Sequence, residues 1–369
     1  MRAPLTWWIL GLVVSAGPGP APGALPSPEP AAVALLPVQD RAGDAAVARA
    51  VEEALVAGLG AEHRLVAAER LRDALRRGRI RNLDDAPPEV LRGLADELGA
   101  ERLITAVVHL AERDLTPRVA ASARSYHGAT GALDAAAFES AAGLDGRTFL
   151  GLGVIEEPER LAAGVGRGLL AGLEPDRRSR REGAAASGDL PAVALVPLAG
   201  LSGPDATRAA ETATEVVRSV LERRGYRVLP PNRTAAAVRS LSGPERVDAW
   251  GAVPEPLRRA LRDEGAGLVV TGAVEAWEVG GDGFEPEPVV AVALRALDAR
   301  TGRILWTGGA ERRGWDRQGP FRLGRVYDRG SLAERIVEGL VGGLGERLAE
   351  IPSADDGPDR NLRSPRRAP

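Results

Sequence analysis

The chain contains an internal duplication, which constrains its fold more than any other feature of the sequence. The segment AVALLP at 32–37 returns as AVALVP at 192–197, an offset of 160. The segment GAERLIT at 99–105 returns as GAGLVVT at 265–271, an offset of 166. Solenoid repeats run over roughly 20–50 residues, so a period this long indicates two complete domains, each large enough to bury its own core.

The same order continues to the end of each copy. Thr130-Gly131 returns as Thr301-Gly302 and Leu161 returns as Leu332, both at an offset of 171. The slow drift of the offset indicates slightly longer loops in the second copy. The predicted organisation is a signal peptide with a Pro-, Gly- and Ala-rich lead at 1–30, a first α/β domain at 31–173, a linker at 174–190, a second α/β domain at 191–350 and a disordered tail at 351–369.

Each copy is expected to mix strands and helices before ending in a meander. Val193 to Val196 is a continuous apolar run, which suits a strand covered on both faces. Gly225 can end the helix that follows, and Asn232 is placed to cap the next one. Three strand segments come next, at 267–279, 289–297 and 303–308. Compact loops join them, with Thr301-Gly302 as the second turn. The predicted fold class is α/β, with two tandem α/β sandwich domains, each a mixed sheet ending in an antiparallel meander and covered by helices.

The amino terminus has the layout of a secretory signal peptide. Arg2 precedes an apolar stretch from Leu5 to Val14, and small residues follow. That stretch has about ten residues, whereas a membrane-spanning helix needs about 20. We expect cleavage after Ala16 or Ala24 and export to the periplasm or the medium, without stable transmembrane insertion. An uncleaved anchor is the alternative.

The residue types that are missing exclude several kinds of chemistry. The chain has no Lys, so it holds neither a phosphate-binding P-loop Lys nor a Schiff-base amine. It has no Cys, which excludes disulfides, thiol nucleophiles and Cys-bound zinc. The net charge of −3 argues against a nucleic-acid partner, because binding to phosphates requires an excess of basic residues. None of His63, His109 and His127 has a metal-ligand spacing such as i, i+4, so no metal or cofactor is predicted, although a three-His site stays open.

Three motifs carry a resemblance to a known family. VALVPL at 193–198, GAGLVVTGAV at 265–274 and VALRALDARTGRILW at 292–306 resemble a bacterial envelope superfamily. Its members include the TolB amino-terminal domain, the curli-secretion lipoprotein CsgG, the penicillin-binding-protein activator LpoB and flagellar-envelope lipoproteins. The resemblance covers most of the second copy and, more weakly, the first. It implies an anticodon-binding-like α/β fold and a non-catalytic periplasmic adaptor or assembly component that binds other envelope proteins.

The sequence departs from the family pattern in two ways. It lacks the lipobox Cys of the lipoprotein members, which argues against a lipid anchor. Its meander loops are also too short to supply membrane strands of about 9–11 residues, which argues against a secretion pore.

Two further hypotheses remain beside the adaptor. No G-x-S-x-G, H-E-x-x-H or strand-linked G-x-G-x-x-G motif occurs, so the sequence predicts no enzyme. The acidic pairs Asp84-Asp85 and Glu156-Glu157 leave a carboxylate-dependent hydrolase or carbohydrate-active enzyme as an alternative. Ring-like self-assembly as a homo-oligomeric secretion or assembly component is the third hypothesis.

Aromatic residues give the one signal for a binding surface. Trp277 and Trp306 lie on predicted strands and are expected to pack in the core, whereas Trp315 lies in a polar, Gly-rich loop. Trp and Arg dominate binding energy at protein interfaces. The predicted partner-binding residues are Trp315, Arg312, Arg313, Arg317 and Phe321.

Overall fold

The computed structural model describes residues 32–80, 86–147, 153–174, 191–200, 205–239, 253–281, 286–316 and 324–350. The predicted signal peptide, the predicted tail and all of the predicted linker except Glu174 lie outside these residues. None of the helices in the described ranges is both long enough and apolar enough to cross a membrane.

The first copy is a mixed sheet with helices on its faces. Its elements are β1 (Ala32–Leu35), β2 (Gln39–Asp40), α1 (Ala45–Glu62), β3 (Arg64–Leu65), α2 (Ala68–Arg77), α3 (Pro88–Leu98), β4 (Arg102–Glu112), β5 (Arg118–His127), β6 (Leu133–Ala142) and α4 (Pro158–Leu173). The strand order is β3-β1-β4-β5-β6, with β2 beside β4. Strands β1 and β2 pair in parallel with β4, and β3 pairs in parallel with β1. Strands β4, β5 and β6 form an antiparallel meander.

The second copy repeats this plan. Its elements are β7 (Val193–Leu195), β8 (Ala199–Gly200), α5 (Ala206–Arg223), α6 (Pro231–Arg239), α7 (Glu255–Asp263), β9 (Leu268–Gly280), β10 (Glu287–Asp298), β11 (Ile304–Arg313) and α8 (Arg329–Ala349). The strand order is β11-β10-β9-β7, with β8 beside β9. The start of one helix differs from the expectation: α6 already begins at Pro231, so Asn232 lies inside the helix and not at the position before it.

Strand register confirms that one sheet is built twice. Val33 pairs with Arg102 in the first copy, and Val193 pairs with Leu268 in the second. These two pairs are related by the offsets of 160 and 166 that the sequence shows. The short strands β2 and β8 obey the same offsets in their pairing with β4 and β9. The fold class predicted from the sequence is therefore confirmed, with two separate sheets.

The two Thr-Gly pairs occupy the same place in both sheets. Gly131, between β5 and β6, has φ +67°, and Gly302, between β10 and β11, has φ +73°. The N–H of Gly131 donates to the carbonyl of His127 at 2.7 Å, and that of Gly302 donates to Asp298 at 2.8 Å. Positive φ strains residues with a Cβ, which explains why both turns use Gly at this position.

Helices α1 and α4 pack side by side on one face of the first sheet. The carboxylate of Asp44 accepts the N–H groups of Ala46 and Val47 and so caps the start of α1. The buried stripe of α1 follows helical spacing and consists of Val47, Ala48, Val51, Leu55 and Leu59. A Cβ added at Gly166 of α4 would lie 2.8 Å from the Cβ of Ala54 on α1. Gly166 therefore allows the two helix backbones to approach closely.

The other face of the first sheet contacts the second copy. Leu110, Ala120 and Phe138 of the first copy share one hydrophobic cluster with residues of α5, α8 and the second sheet. Helix α5 is buried nearly all round, which is expected of a helix enclosed by packed elements on several sides. The two copies consequently share a core and belong to one compact unit.

Candidate functional site

A tight turn at the end of β11 carries the predicted binding aromatic. The N–H of Arg313 donates to the Asp316 carboxylate at 2.8 Å, and the N–H of Asp316 donates to the Arg313 carbonyl at 3.1 Å. Gly314, inside the turn, donates to the carbonyl of Pro288 on β10 and accepts from the N–H of Val326. The turn is thus tied both to the sheet and to the segment before α8, which fixes the residue between Gly314 and Asp316.

Trp315 occupies that position as a supported, exposed aromatic side chain. It is 43% exposed. The guanidinium carbon of Arg325 lies 5.1 Å from the ring centroid of Trp315 and 5.1 Å from that of Tyr327. Both distances fall within the roughly 6 Å over which a cation is attracted to an aromatic face. Because Arg325 and Tyr327 are buried, Trp315 rests on a fixed base and presents its remaining surface to solvent.

A shallow pocket with a basic rim lies beside Trp315. Arg312, Arg313 and Arg335 all contribute to its lining, together with the single carboxylate of Asp316. Arg312 and Arg313 are exposed at the end of β11. The excess of positive charge favours a partner that brings acidic groups to this surface.

The structure brings three of the five predicted partner-binding residues together. Arg312 and Arg313 line the pocket at the end of β11, and Trp315 lies in the turn that follows. Arg317 and Phe321 lie outside the described residues. A role in partner binding stays a prediction for all five.

The two strand tryptophans have a different environment. Trp277 and Trp306 are half-buried and pack against the hydrophobic cluster of the second copy. The guanidinium carbon of Arg329 lies 5.9 Å from the ring centroid of Trp277. Their placement agrees with the expectation that they pack in the core and leaves Trp315 as the exposed large aromatic of the described chain.

Sequence reasoning missed a buried polar network between the two copies. Arg124 of β5 forms an ion pair with Glu215 of α5, and Nε of Arg218 lies 3.8 Å from the same carboxylate. Farther along, Arg329 of α8 pairs with Glu112 of β4. A buried charge destabilises a protein unless it is paired. These ion pairs therefore favour the arrangement of the two copies that brings their partners together.

The pKa values of two carboxyl groups in this network are shifted in opposite directions. Burial raises the pKa of Glu215, but the charges of Arg124 and Arg218 outweigh it and bring the pKa down to about 2. Burial also raises the pKa of Glu222, about two helical turns farther along α5, to about 7, although the charges of the same two arginines lower it. Glu215 is therefore an anion throughout the neutral range, whereas Glu222 holds its proton up to about neutral pH.

The raised pKa of Glu222 predicts that stability falls with rising pH. The folded state keeps this proton between about pH 4.3, where an unfolded Glu loses it, and about pH 7. Stability therefore decreases across that window, and the loss is complete above it. We expect Glu222→Gln to flatten the decline and to raise the melting temperature at about pH 8. Thermal unfolding of both chains at constant ionic strength measures this, and an unchanged pH slope would contradict it.

Other carboxylates converge at the same interface. Ser140 donates a hydrogen bond to Asp328, and the carboxylate of Glu334 pairs with Arg223 at 2.6 Å. Burial raises the pKa of Glu139, and the charges of Glu334 and Asp328 add to the rise. Asp328 is fully buried, so a carbohydrate cannot reach it from solvent.

The acidic pairs noted in the sequence lie elsewhere. Glu156 and Glu157 are exposed just before α4, and Asp84-Asp85 lie outside the described residues. A separate group consists of Glu62, His63 and Glu174, where α1 and α4 end. Within the described ranges, it is the one group of His and carboxylate side chains close enough to hold a metal ion.

Comparison with known proteins gives fold-level similarities only. No protein-family model matches the sequence, and no curated protein matches it significantly. Similar solved structures include the PelC dodecamer from Paraburkholderia phytofirmans, 23% identical, covering 42% of this chain and 87% of that one with a TM-score of 0.28. The LpoB C-terminal domain from Escherichia coli is 16% identical, covers 32% of this chain and 87% of that one, and has a TM-score of 0.25.

TolB from Acinetobacter baumannii is also similar, at 15% identity and a TM-score of 0.26. That match covers 45% of this chain and 30% of TolB. LpoB and TolB are members of the envelope superfamily that the sequence motifs resemble. At these TM-scores the similarities carry no argument about activity or partners.

Proposed function

We propose that the chain is a non-catalytic adaptor or assembly scaffold of the bacterial envelope, which binds another protein through the surface around Trp315. The observation that carries the proposal is an exposed Trp held against a buried Arg beside a basic pocket. A side chain that is already ordered loses little entropy on binding, which favours affinity. The family resemblance of the sequence supports the envelope setting.

The second copy is the proposed binding copy because the corresponding turn of the first copy differs. The first meander ends at Ala142, and Gly143 there donates to Pro117 much as Gly314 donates to Pro288. The residue after Gly143 is Leu144, which is buried against Tyr327. The first copy thus uses this turn for the contact between copies, while the second copy leaves its own turn with an exposed Trp.

Replacing Trp315 with Ala should abolish partner capture with little change in stability. Hot-spot residues contribute at least about 2 kcal/mol to binding, so affinity should fall about 30-fold. The lost cation–π contact costs about 0.5–1 kcal/mol, and the covered part of the ring adds to this. Because Trp315 is 43% exposed, the total should stay below the loss of about 3–5 kcal/mol for a fully buried Trp. Capture from a periplasmic extract identifies the partner, and calorimetry with the purified partner then measures the affinity.

Leu115→Ala is the matched control. Leu115 is 71% exposed and lies between β4 and β5 of the first copy, so its loss should leave capture unchanged. Arg312→Glu tests the basic pocket and should weaken binding most at low salt. Equal affinity of wild type and Trp315→Ala would contradict the proposed surface, and a large loss of stability in Trp315→Ala would show that the ring belongs to the core.

A further inference from the structure

Packing of α1 against α4 brings the ends of both helices to one point. A Cβ added at Gly166 would meet Ala54, and one added at Gly58 would meet Leu170. These close approaches are one helical turn apart on each helix. One turn farther along the same seam, the chain carries Glu62 at the end of α1 and Glu174 at the C-cap of α4. The helix packing therefore sets these two carboxylates side by side.

The electrostatics of this end of the helix pair favour a bound cation. The C-terminal end of a helix carries partial negative charge, which basic residues usually offset. Neither α1 nor α4 has a basic residue in its last turn. Among the residues that the structure describes, no basic side chain forms an ion pair with Glu62 or Glu174. Two helix ends and two carboxylates thus concentrate negative charge in one place.

His63 adds a nitrogen ligand to the two carboxylates. It is the C-cap of α1, and its N–H donates to the carbonyl of Leu59 at 2.8 Å, which fixes its backbone. The ring atom Nε2 is buried and has no hydrogen-bond partner in the described structure. One ligand atom from each of Glu62, His63 and Glu174 lies within 4.8 Å of the other two. An imidazole that lies this close to two carboxylates, with a ring nitrogen that has no hydrogen-bond partner, is suited to bind a metal ion.

We propose that Glu62, His63 and Glu174 bind a divalent transition-metal ion of the Zn²⁺ class. One imidazole with two carboxylates matches the N and O ligands that such ions accept, whereas Ca²⁺ and Mg²⁺ prefer oxygen ligands alone. Zinc bonds of about 2.0–2.1 Å place neighbouring ligand atoms about 3.4 Å apart. The exposed side chains of Glu62 and Glu174 close the remaining distance by rotation about their side-chain bonds.

The bound ion joins the carboxyl ends of α1 and α4. Glu174 is the first residue of the predicted linker at 174–190 and its one described residue. The ion consequently anchors the end of the first copy at the point where the chain continues to the second. Three protein ligands leave a fourth tetrahedral position for water.

Calorimetric titration of the untagged full chain with Zn²⁺ tests the proposal. The chain has no Cys and only three His, so few other ligands compete. We expect one saturable Zn²⁺ per chain, and a rise in melting temperature because the ion binds the folded state. His63→Ala and Glu174→Gln should each weaken the Kd at least tenfold and abolish the rise.

His127→Ala is the matched control, because His127 is the exposed His at the end of β5 and its loss should leave the Kd unchanged. Circular dichroism of the metal-free variants checks that they fold. If His63→Ala does not fold, Glu174→Gln still tests the site. Absence of saturable binding, binding that survives in both variants, or displacement of Zn²⁺ by excess Ca²⁺ would each overturn the proposal.

Discussion

Glu215→Gln is expected to lower the free energy of unfolding by about 3–5 kcal/mol at neutral pH, because it removes the carboxylate that pairs with buried arginines. Arg124 and Arg218 each expose only 4% of their side chains. The carboxylate of Glu215 pairs with the first and lies 3.8 Å from the second. Without it, two guanidinium groups stay desolvated at the contact between the copies and repel each other.

An exposed ion pair of the first copy provides the matched control. Arg77 and Glu97 lie 2.5 Å apart, with 63% and 42% of their side chains exposed. Exposed pairs contribute roughly 0–1 kcal/mol, so Glu97→Gln should have a small effect. Urea unfolding of the three chains measures both changes, and equal effects of the two substitutions would mean that the contact between the copies does not depend on the buried pair.

Acidic pH should reduce the difference in the free energy of unfolding between wild type and Glu215→Gln. The folded-state pKa of Glu215, about 2, lies below the unfolded value of about 4.3. Its stabilising contribution is therefore complete above that unfolded value and is lost as the pH falls towards 2. Unfolding measured at about pH 3 should show a smaller gap between the two chains than unfolding at neutral pH.

The architecture of each copy could be predicted because the signals for it are local. The apolar run at 193–196 predicts a covered strand, and the Thr-Gly pairs predict turns in equivalent places. The repeat offsets relate the pairing of Val33 with Arg102 in the first copy to that of Val193 with Leu268 in the second. Local signals also failed once: Asn232 suits a helix cap, but Pro231 before it is favoured at the first helical position and begins α6.

The contact between the copies could not be predicted from one apolar stripe. Val216 and Val220 of α5 follow helical apolar spacing in the sequence, whereas the structure also buries polar Thr212, Arg218 and Ser219. Those polar residues resemble a solvated helix face in the sequence. One signal for this contact was present in the sequence: Arg124 lies among the small residues of strand β5. A charge in a buried strand requires a partner from another element.

Prediction of the candidate sites was limited by distance along the chain. The exposure of Trp315 follows from its polar, Gly-rich surroundings, which are local. The group of Glu62, His63 and Glu174 depends on helix packing that joins residues more than a hundred positions apart. A search for i, i+4 ligand spacing detects only pairs on one helix, so it could not reveal this group.

Gly131→Ala is expected to destabilise the protein by about 2–5 kcal/mol. Left-handed backbone costs a residue with a Cβ about 1–2 kcal/mol, and Gly131 has φ +67°. The new Cβ would also lie 2.8 Å from the carbonyl carbon of Pro88 and closer still to its oxygen. Backbone at the start of α3 cannot easily move aside, so overpacking adds about 1–3 kcal/mol.

Gly302→Ala, at the equivalent turn of the second copy, separates the two contributions. Gly302 has φ +73° and so bears the same backbone strain. The three atoms nearest to its new Cβ all belong to the guanidinium of Arg258, the closest at 2.7 Å. Although this group donates to the carbonyls of Val253 and Arg300, the end of a side chain shifts more easily than backbone. We expect a loss of about 1–2 kcal/mol. Urea unfolding of both variants measures the difference, and equal losses would show that backbone strain alone, without the contact to Pro88, requires glycine in the first turn.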